Sequence, residues 1–395
     1  MSSVSIVKAS KYDKTTVSKA LEETFYNLGG IEKFIRPGMK VALKANLVMK
    51  KKPEEAATTH PILVGELARI IKNAGAEALI IDSPGGVYTR SNLEDIYKGT
   101  GIKEVAEEVG AQLNYDTSEV EVQNTEGKFI RKLKILKPLV EADFVINLPK
   151  LKTHGQMVYT GAVKNMFGAI AGISKLEYHF NMKEYDRFAD ALIDIFLSSK
   201  PNLSIMDAIV GMEGSGPTAG FPKEIGVVLA SENAFNLDMT ALNIVNIDPK
   251  SVPVMKNSIE RGLCPDRIDE IEMIGVPLDS VKVKDFDVPA LEGLQEIRFV
   301  NNDYLKSLIG FMLPKPVFIL NKCVGCGDCM RNCPSKAIQM KNKKPKLKLS
   351  KCIRCFCCQE LCPAKAIEIK RNRVVDKLVK PAASVFMAIK GKDKR

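Results

Sequence analysis

The chain has 395 residues, with 58 Lys+Arg against 47 Asp+Glu, ten cysteines, three histidines and no tryptophan. Its length suits one large domain plus a small one, and with no run of 18 or more apolar residues a membrane-spanning helix is not expected. The charge is uneven: residues 301–395 hold 22 Lys+Arg against 6 acids, whereas residues 1–300 hold 36 against 41.

In the first 300 residues short apolar runs alternate with amphipathic stretches. Val4–Val7 and Val41–Leu47 read as strands. Ile62–Asn73 reads as a helix with Leu63, Leu67, Ile70 and Ile71 on one face, stopped by Gly75, and Ala78–Ile81 reads as the buried strand after it. A tight polar turn, Asp82-Ser-Pro-Gly-Gly86, ends that strand. Ser91–Gly110 is a helix region, Phe144–Asn147 another buried strand, and Leu203–Met206 is strand-like. Helix between strands, repeatedly, predicts an α/β domain with a largely parallel sheet and flanking helices. Ligands bind beyond the carboxyl ends of such strands. That rule directs attention to Lys44-Ala-Asn46, Asp82-Ser83 and Asn147-Leu-Pro-Lys150.

All three histidines fall in or near polar or Gly-rich segments: His60 in Thr58-Thr-His-Pro61, His154 in Pro149-Lys-Leu-Lys-Thr-His-Gly155, and His179 after Thr160–Gly172. They read either as parts of a site or as surface and capping residues. In residues 149–172, Lys150, Lys152 and Lys164 stand among small residues. Such a segment suits a phosphate or carboxylate, as a small anionic substrate, held by backbone N–H groups and ammoniums; the plainer alternative is a loop with solvated lysines. Glu213, in the Gly-rich Met212–Gly220, is a base or metal ligand on one reading and a turn cap on the other. No Gly-rich dinucleotide fingerprint, P-loop or His-Glu-x-x-His is present.

Two cysteine runs end the chain's readable chemistry. Cys323-Val-Gly-Cys326-Gly-Asp-Cys329-Met-Arg-Asn-Cys333-Pro334 and Cys352-Ile-Arg-Cys355-Phe-Cys-Cys358-Gln-Glu-Leu-Cys362-Pro363 share the spacing C-x2-C-x2-C-x3-C-P at an offset of 29. This is the ligand pattern of a two-cluster ferredoxin module, whose fourth cysteine serves the other cluster. The expected ligand sets are Cys323, Cys326, Cys329 and Cys362 for one [4Fe-4S] cluster and Cys352, Cys355, Cys358 and Cys333 for the other. Zinc would take four ligands in two separated pairs, and disulfides do not fit a chain whose opening residues lack a signal-peptide layout. A cytoplasmic protein of an anaerobe or a protected cytosol is expected. Gly325 and Gly327 relieve crowding where backbone N–H groups approach the cluster sulfurs, and Arg354 and Phe356 occupy those places in the second run. The repeat continues through Pro334–Lys341 and Pro363–Lys370, so each half reads as ligand loop, short helix and strand. Cys357 and Cys264 stay outside the ligand set.

Between the runs, Lys341-Asn-Lys-Lys-Pro-Lys-Leu-Lys348 is strongly basic. It reads as part of a docking face for an acidic redox partner protein or as a solvated linker. The run lacks interleaved aromatics and any recognised binding motif, so nucleic acid is not an expected partner.

Together Lys44-Ala-Asn46, Thr59-His-Pro61, Asp82-Ser-Pro-Gly85, Ile146–His154, Thr160-Gly-Ala-Val-Lys-Asn165, Asp207 and Met212–Thr218 closely resemble the domain-of-unknown-function 362 family. Many members of that family carry a C-terminal two-cluster ferredoxin module. The resemblance implies an iron–sulfur protein and no settled reaction. His154, Lys164, Gly172 and His179 are also similar, more faintly, to a segment of nickel-pincer lactate racemases. That likeness would make His154 an acid/base group, Lys164 an anchor for cofactor or substrate and His179 a metal ligand; the racemase's other substrate-binding motifs are not evident.

The expected organisation is an α/β domain over 1–300, a small α+β two-cluster ferredoxin-like domain over 301–375 and a basic tail over 376–395. Three functions fit. The first is an oxidoreductase moving electrons between two [4Fe-4S] clusters and a small anionic substrate or second cofactor in the N-terminal domain. There His154, Lys164, His60 and Glu213 would be the catalytic candidates, and Lys44, Asn46, Asp82, Ser83, Lys150, Asn165 and His179 the binding ones. The others are an electron-transfer subunit docking to a separate enzyme and a maturation factor for iron–sulfur or metal cofactors.

Overall fold

The computed structural model describes residues 2–172, 174–288 and 313–370. The chain divides into two units, Met1–Val288 and Pro289–Arg395. The boundaries expected at residues 300 and 375, and the basic tail after them, lie outside the described residues.

In the first unit the strands are β1 (Val4–Lys8), β2 (Lys40–Lys44), β3 (Glu77–Ile81), β4 (Gln112–Leu113), β5 (Glu119–Gln123), β6 (Lys132–Leu136), β7 (Phe144–Asn147), β8 (Lys150–His154), β9 (Val158–Thr160), β10 (Leu203–Glu213), β11 (Phe221–Ser231) and β12 (Met273–Gly275). The helices are α1 (Lys14–Asn27), α2 (Pro61–Asn73), α3 (Arg90–Gly99), α4 (Ile102–Val109), α5 (Lys137–Val140), α6 (Ala162–Asn165), α7 (Ser174–Asn181), α8 (Tyr185–Ser199), α9 (Ala234–Ile244) and α10 (Pro253–Glu260). The main sheet runs β12-β1-β11-β10-β7-β2-β3-β4, with β8 paired to β10 and β9 to β8. Neighbours are parallel except where β11 meets β1 and β10 and where β9 meets β8. The expected α/β architecture with a largely parallel sheet is therefore what the chain adopts.

The α2 pattern shows how sequence becomes packing. Leu63, Leu67 and Ile71 recur at helical spacing and are fully buried against the sheet core with Val41, Leu43 and Ile80. Each such side chain contributes about 1.5–3 kcal/mol through removal from water. His60 caps the helix start, its Nδ1 accepting from the Ile62 N–H, and Gly75, just past the end at φ 83°, adopts the left-handed turn that other residues resist. The Ser91–Gly110 region is two helices, α3 and α4, parted at Gly101, whose φ of 75° breaks the helical path. Leu203–Met206 is only the start of β10, which runs eleven residues to Glu213 and hydrogen-bonds along β11.

Register decides what meets at the carboxyl ends. Lys44 of β2 lies opposite Ile81 of β3 on one side and Asn147 of β7 on the other. Asp82, one residue beyond, therefore arrives beside Lys44, and the polar residues that follow the strands converge.

The second unit contains β13 (Lys315–Phe318), β14 (Ile338–Lys341), β15 (Lys344–Leu347) and β16 (Ile367–Lys370), with α11 (Asp328–Arg331) and α12 (Cys357–Glu360). β13 pairs with β16 and β14 with β15, both antiparallel. The offset of 29 holds in three dimensions: α11 maps onto α12 and β14 onto β16. It also holds in the backbone, where Gly325, Gly327 and Lys336 and their counterparts Arg354, Phe356 and Lys365 all have positive φ. The small core joins Cys329 and Ile338 to Cys358 and Ile367, the same two positions of each half. The basic stretch between the runs is not a linker. It forms the β14–β15 hairpin, turned at Asn342 and Lys343, whose φ values of 50° and 58° fit the tight turn that matches strand twist.

Candidate functional site

Four thiols bracket one cavity in the second unit: Cys323, Cys326, Cys329 and Cys362 all line it. The Cys329 thiol is pushed up to about 11, by burial first and then by Cys326, Cys362 and Cys323 around it. A second group stands around Cys358, whose thiol is raised by burial and by Cys355, Cys352 and Cys333, with Cys329 of the first group adding last. Each set thus takes three members from one run and one from the other. The crossing members are held alike: the Ala337 N–H donates to Cys333 Sγ at 3.2 Å, and the Ala366 N–H to Cys362 Sγ at 3.3 Å. Such bonds stabilise a ligating thiolate. Among the described residues no three His, Cys, Asp or Glu side chains close on the point a single ion would occupy. The space among Cys323, Cys326, Cys329 and Cys362 fits a cluster of several irons.

Cys357 is buried and its thiol donates a hydrogen bond to the Cys355 sulfur, outside the sets of four. Cys264 belongs to the first unit, where burial pushes it up to about 12.

In the first unit, the polar residues after β2, β3, β7 and β8 form a buried network. Lys44 Nζ lies 2.7 Å from Asp82 Oδ1 and donates to Asn165 Oδ1 at 3.2 Å. Asn46 Nδ2 donates to the same Asn165 oxygen at 2.7 Å, and Asn165 Nδ2 donates to Asn147 Oδ1 at 2.8 Å. Lys152 Nζ donates to Asn46 Oδ1 at 2.7 Å. Gly168 allows this closeness: a Cβ there would lie 2.2 Å from Asp82 Oδ1 and 2.4 Å from Lys44 Nζ. Burial lowers the Lys44 ammonium from its usual value, and Asp82 opposes the shift.

A second group adjoins β10. Lys150 Nζ donates to Asp207 Oδ2 at 2.9 Å and to the Tyr12 hydroxyl at 2.7 Å, and Tyr12 donates to Asp207 Oδ1 at 2.6 Å. The Tyr12 ring stacks on His60 at 3.6 Å, and the His60 N–H donates to Asp207. Burial, with Lys150 adding to it and Asp207 opposing, holds the His60 imidazole down at about 4. Lys150 is lowered by burial against the pull of Asp207.

These are the parts that comparison with other proteins ties to a family. Residues 41–243 match the model of the Domain of unknown function (DUF362), and residues 315–363 match the 4Fe-4S dicluster domain. The chain belongs to the DUF362 family. It is 32% identical over 269 residues to the Thylakoid-associated protein sll1697 of Synechocystis sp., spanning 67% of this chain and 80% of that one. The lactate racemase apoprotein from Thermoanaerobacterium thermosaccharolyticum overlaps 60% of this chain and 55% of its own, at 14% identity and a TM-score of 0.40. The C-terminal unit of this DUF362 protein is a 4Fe-4S-binding domain.

The remaining candidates of the DUF362 domain fall at three further places. His154, fully buried at the end of β8, accepts at Nδ1 from the N–H groups of Gln156 and Met157, at 3.0 and 3.2 Å. Its neutral ring therefore carries its proton on Nε2. Lys164 on α6 lies 6.0 Å from the Phe167 ring, which also meets the rings of His179 and Tyr178 and the ammonium of Lys175 at 5.9 Å. Lys175 in turn donates to the Ser83 carbonyl and lies 3.5 Å from the Ser83 hydroxyl. Phe167 thus gathers Lys164, Lys175 and His179 near the loop after β3. His179 itself is boxed between Phe167 and Phe188. Glu213 stands apart at the end of β10, accepting from the Asp287 N–H at 2.9 Å.

Sequence reasoning passed over Tyr12, Lys175 and Asp238. Asp238 on α9 accepts from the Ala162 and Val163 N–H groups and from Tyr159, which fixes the turn bearing Lys164 and Asn165. Burial pushes its carboxyl up to about 6 against those three bonds. Its one sequence signal was that it is the single charged residue of the helix Ala234–Ile244. A cavity of about 230 Å³ beside α7 is lined by Glu119, Glu177, Lys134 and Tyr178. Its two carboxylates and one ammonium do not favour an anion.

Proposed function

We propose that the chain is an iron–sulfur oxidoreductase holding two [4Fe-4S] clusters, one on Cys323, Cys326, Cys329 and Cys362 and one on Cys352, Cys355, Cys358 and Cys333. The observation that carries this reading is the crossing of the thiol sets between the two runs. Bound clusters would supply one-electron reduction and oxidation. A small anionic reactant or second cofactor would sit in the DUF362 domain by Phe167, where Lys164 and Lys175 supply positive charge. The Lys44–Asp82–Asn165 network fixes the backbone from which Lys164 projects. His154, at its separate place at the end of β8, would offer Nε2–H as a hydrogen-bond donor, because its Nδ1 already accepts two backbone bonds. His60 is held neutral by a different cause, its burial.

A second reading, a carrier that docks to a separate enzyme, is favoured by the inward pairing of Lys44 with Asp82 and Lys150 with Asp207. Anaerobic native mass spectrometry of protein from its own host separates the two. Mass beyond the chain and two clusters that vanishes in Lys164→Ala supports the oxidoreductase. Clusters alone in both proteins support the carrier. A mass short of two clusters overturns both.

A further inference from the structure

The two halves of the cluster-bearing unit match in backbone and differ in what covers them. Val324 is 70% exposed, Leu320 49% and Met330 39%, all beside Cys323, Cys326 and Cys329. Cys326 is itself exposed. At the offset of 29 stand Ile353 and Leu349, both partly covered, Gln359, which is buried, and Cys355, also buried. One thiol set therefore includes an exposed member and lies beside exposed apolar side chains, and the other is more covered, with Cys355 and Cys358 buried.

Basic residues frame that patch. Lys344 Nζ donates to the carbonyls of Leu320 and Cys323, at 2.7 and 2.9 Å, which clamps the β14–β15 hairpin onto the ligand loop. The hairpin tip rests on Gly325, where a Cβ would come within 2.9 Å of the Lys343 carbonyl oxygen. Lys322, Lys341, Lys343 and Lys346 are all exposed. Of the three acids in residues 313–370, Asp328 is paired with Arg331 and Glu368 with Lys370.

We propose that this face is the port through which the chain exchanges electrons with a separate, small, acidic redox protein. The inference rests on the electron-transfer reading above and names which thiol set faces outward. An apolar centre inside a charged rim is the anatomy of a transient protein interface, and opposite charge speeds encounter. The exposed Cys326 puts a cluster ligand at the contact, which favours a redox protein over a lipid surface. In each encounter the reduced member loses one electron and the oxidised member gains it; no bond or proton moves.

The test uses the full-length holoprotein, anaerobically, with reduced flavodoxin as the acidic probe in stopped flow. The wild-type rate is expected to fall steeply with salt. Lys343→Glu/Lys346→Glu is expected to lower the low-salt rate more than tenfold, and Val324→Ser severalfold. Iron content should not change, and dithionite should still reduce the clusters fully. The same reversal at Lys8 and Lys19 in the first unit should leave the rate as it is. An unchanged rate in the Lys343/Lys346 variant overturns the port while leaving the electron-transfer reading intact. Clusters that neither dithionite nor flavodoxin reduces overturn that reading as well. Loss of binding to phosphatidylglycerol vesicles, with an unchanged flavodoxin rate, reassigns the face to lipid and overturns the proposal.

Discussion

Asp82 follows Ile81, the register partner of Lys44, and its carboxylate closes on the Lys44 ammonium at 2.7 Å with both side chains buried. Removing one member leaves an uncompensated charge in the interior, at a cost of about 3–5 kcal/mol. Asp82→Ala is therefore expected to lower the thermal unfolding midpoint of the first unit markedly. The double variant Lys44→Met/Asp82→Leu should recover most of the loss, and circular dichroism melts of the three proteins check the order.

Asn165 joins two strand ends, accepting from Lys44 and Asn46 at the end of β2 and donating to Asn147 at the end of β7. Asn165→Ala strands those groups without partners, at about 1–3 kcal/mol for each one left buried and unbonded. Asn165→Asp keeps the acceptor for Lys44 and loses the donor to Asn147. Amide hydrogen exchange should show Asn165→Ala opening β2 and β7 more than Asn165→Asp does.

His60 predicts a pH dependence with a definite sign. Its folded value of about 4 lies below the unfolded 6.5, so the unfolded chain takes up a proton first as pH falls. Stability from this group is complete above about pH 6.5, declines by at most about 1.4 kcal/mol per pH unit below it, and levels off near pH 4. His60→Asn, which keeps an N-capping side chain, should flatten that window. A proton NMR titration, simplified by the chain's three histidines, should place the His60 midpoint near 4.

The crossed thiol sets predict paired losses. Cys362→Ser should remove the cluster that Cys323, Cys326 and Cys329 would hold and spare the other; Cys333→Ser should do the reverse. Cys357→Ser and Cys264→Ser should keep full iron content. Iron and sulfide analysis with electron paramagnetic resonance reads each outcome, and a Cys357→Ser protein that lost half its iron would move Cys357 into the ligand set.

The cluster chemistry was legible because its ligands are local: three cysteines within seven residues fix their own geometry before any tertiary packing. The parallel sheet was legible for a similar reason, since Leu63, Leu67 and Ile71, or the run Phe144–Asn147, carry their periodicity in a short window. What burial does to a polar residue is not local. Lys44 and Lys150 stood out as charges at strand ends, and only the fold shows them facing Asp82 and Asp207. Tyr12 reaches Asp207 across 195 positions, which no nearby pattern announces. The Lys341–Lys348 stretch concealed a hairpin because its lysines alternate with Pro345 and Leu347, a strand rhythm hidden under the charge.

The shared thiols bear on how the small unit can be divided. Each run supplies three members of one set and one of the other, and β13 before the first run pairs with β16 after the second. Neither half is a module in its own right. A fragment ending between Cys333 and Cys352 would lack Cys362, the fourth thiol around its cavity, and its β13 would lack the partner that completes its sheet. The repeat visible in the sequence therefore stands as one piece, in which Arg354 and Phe356, where the first run has glycine, hold the same left-handed backbone path.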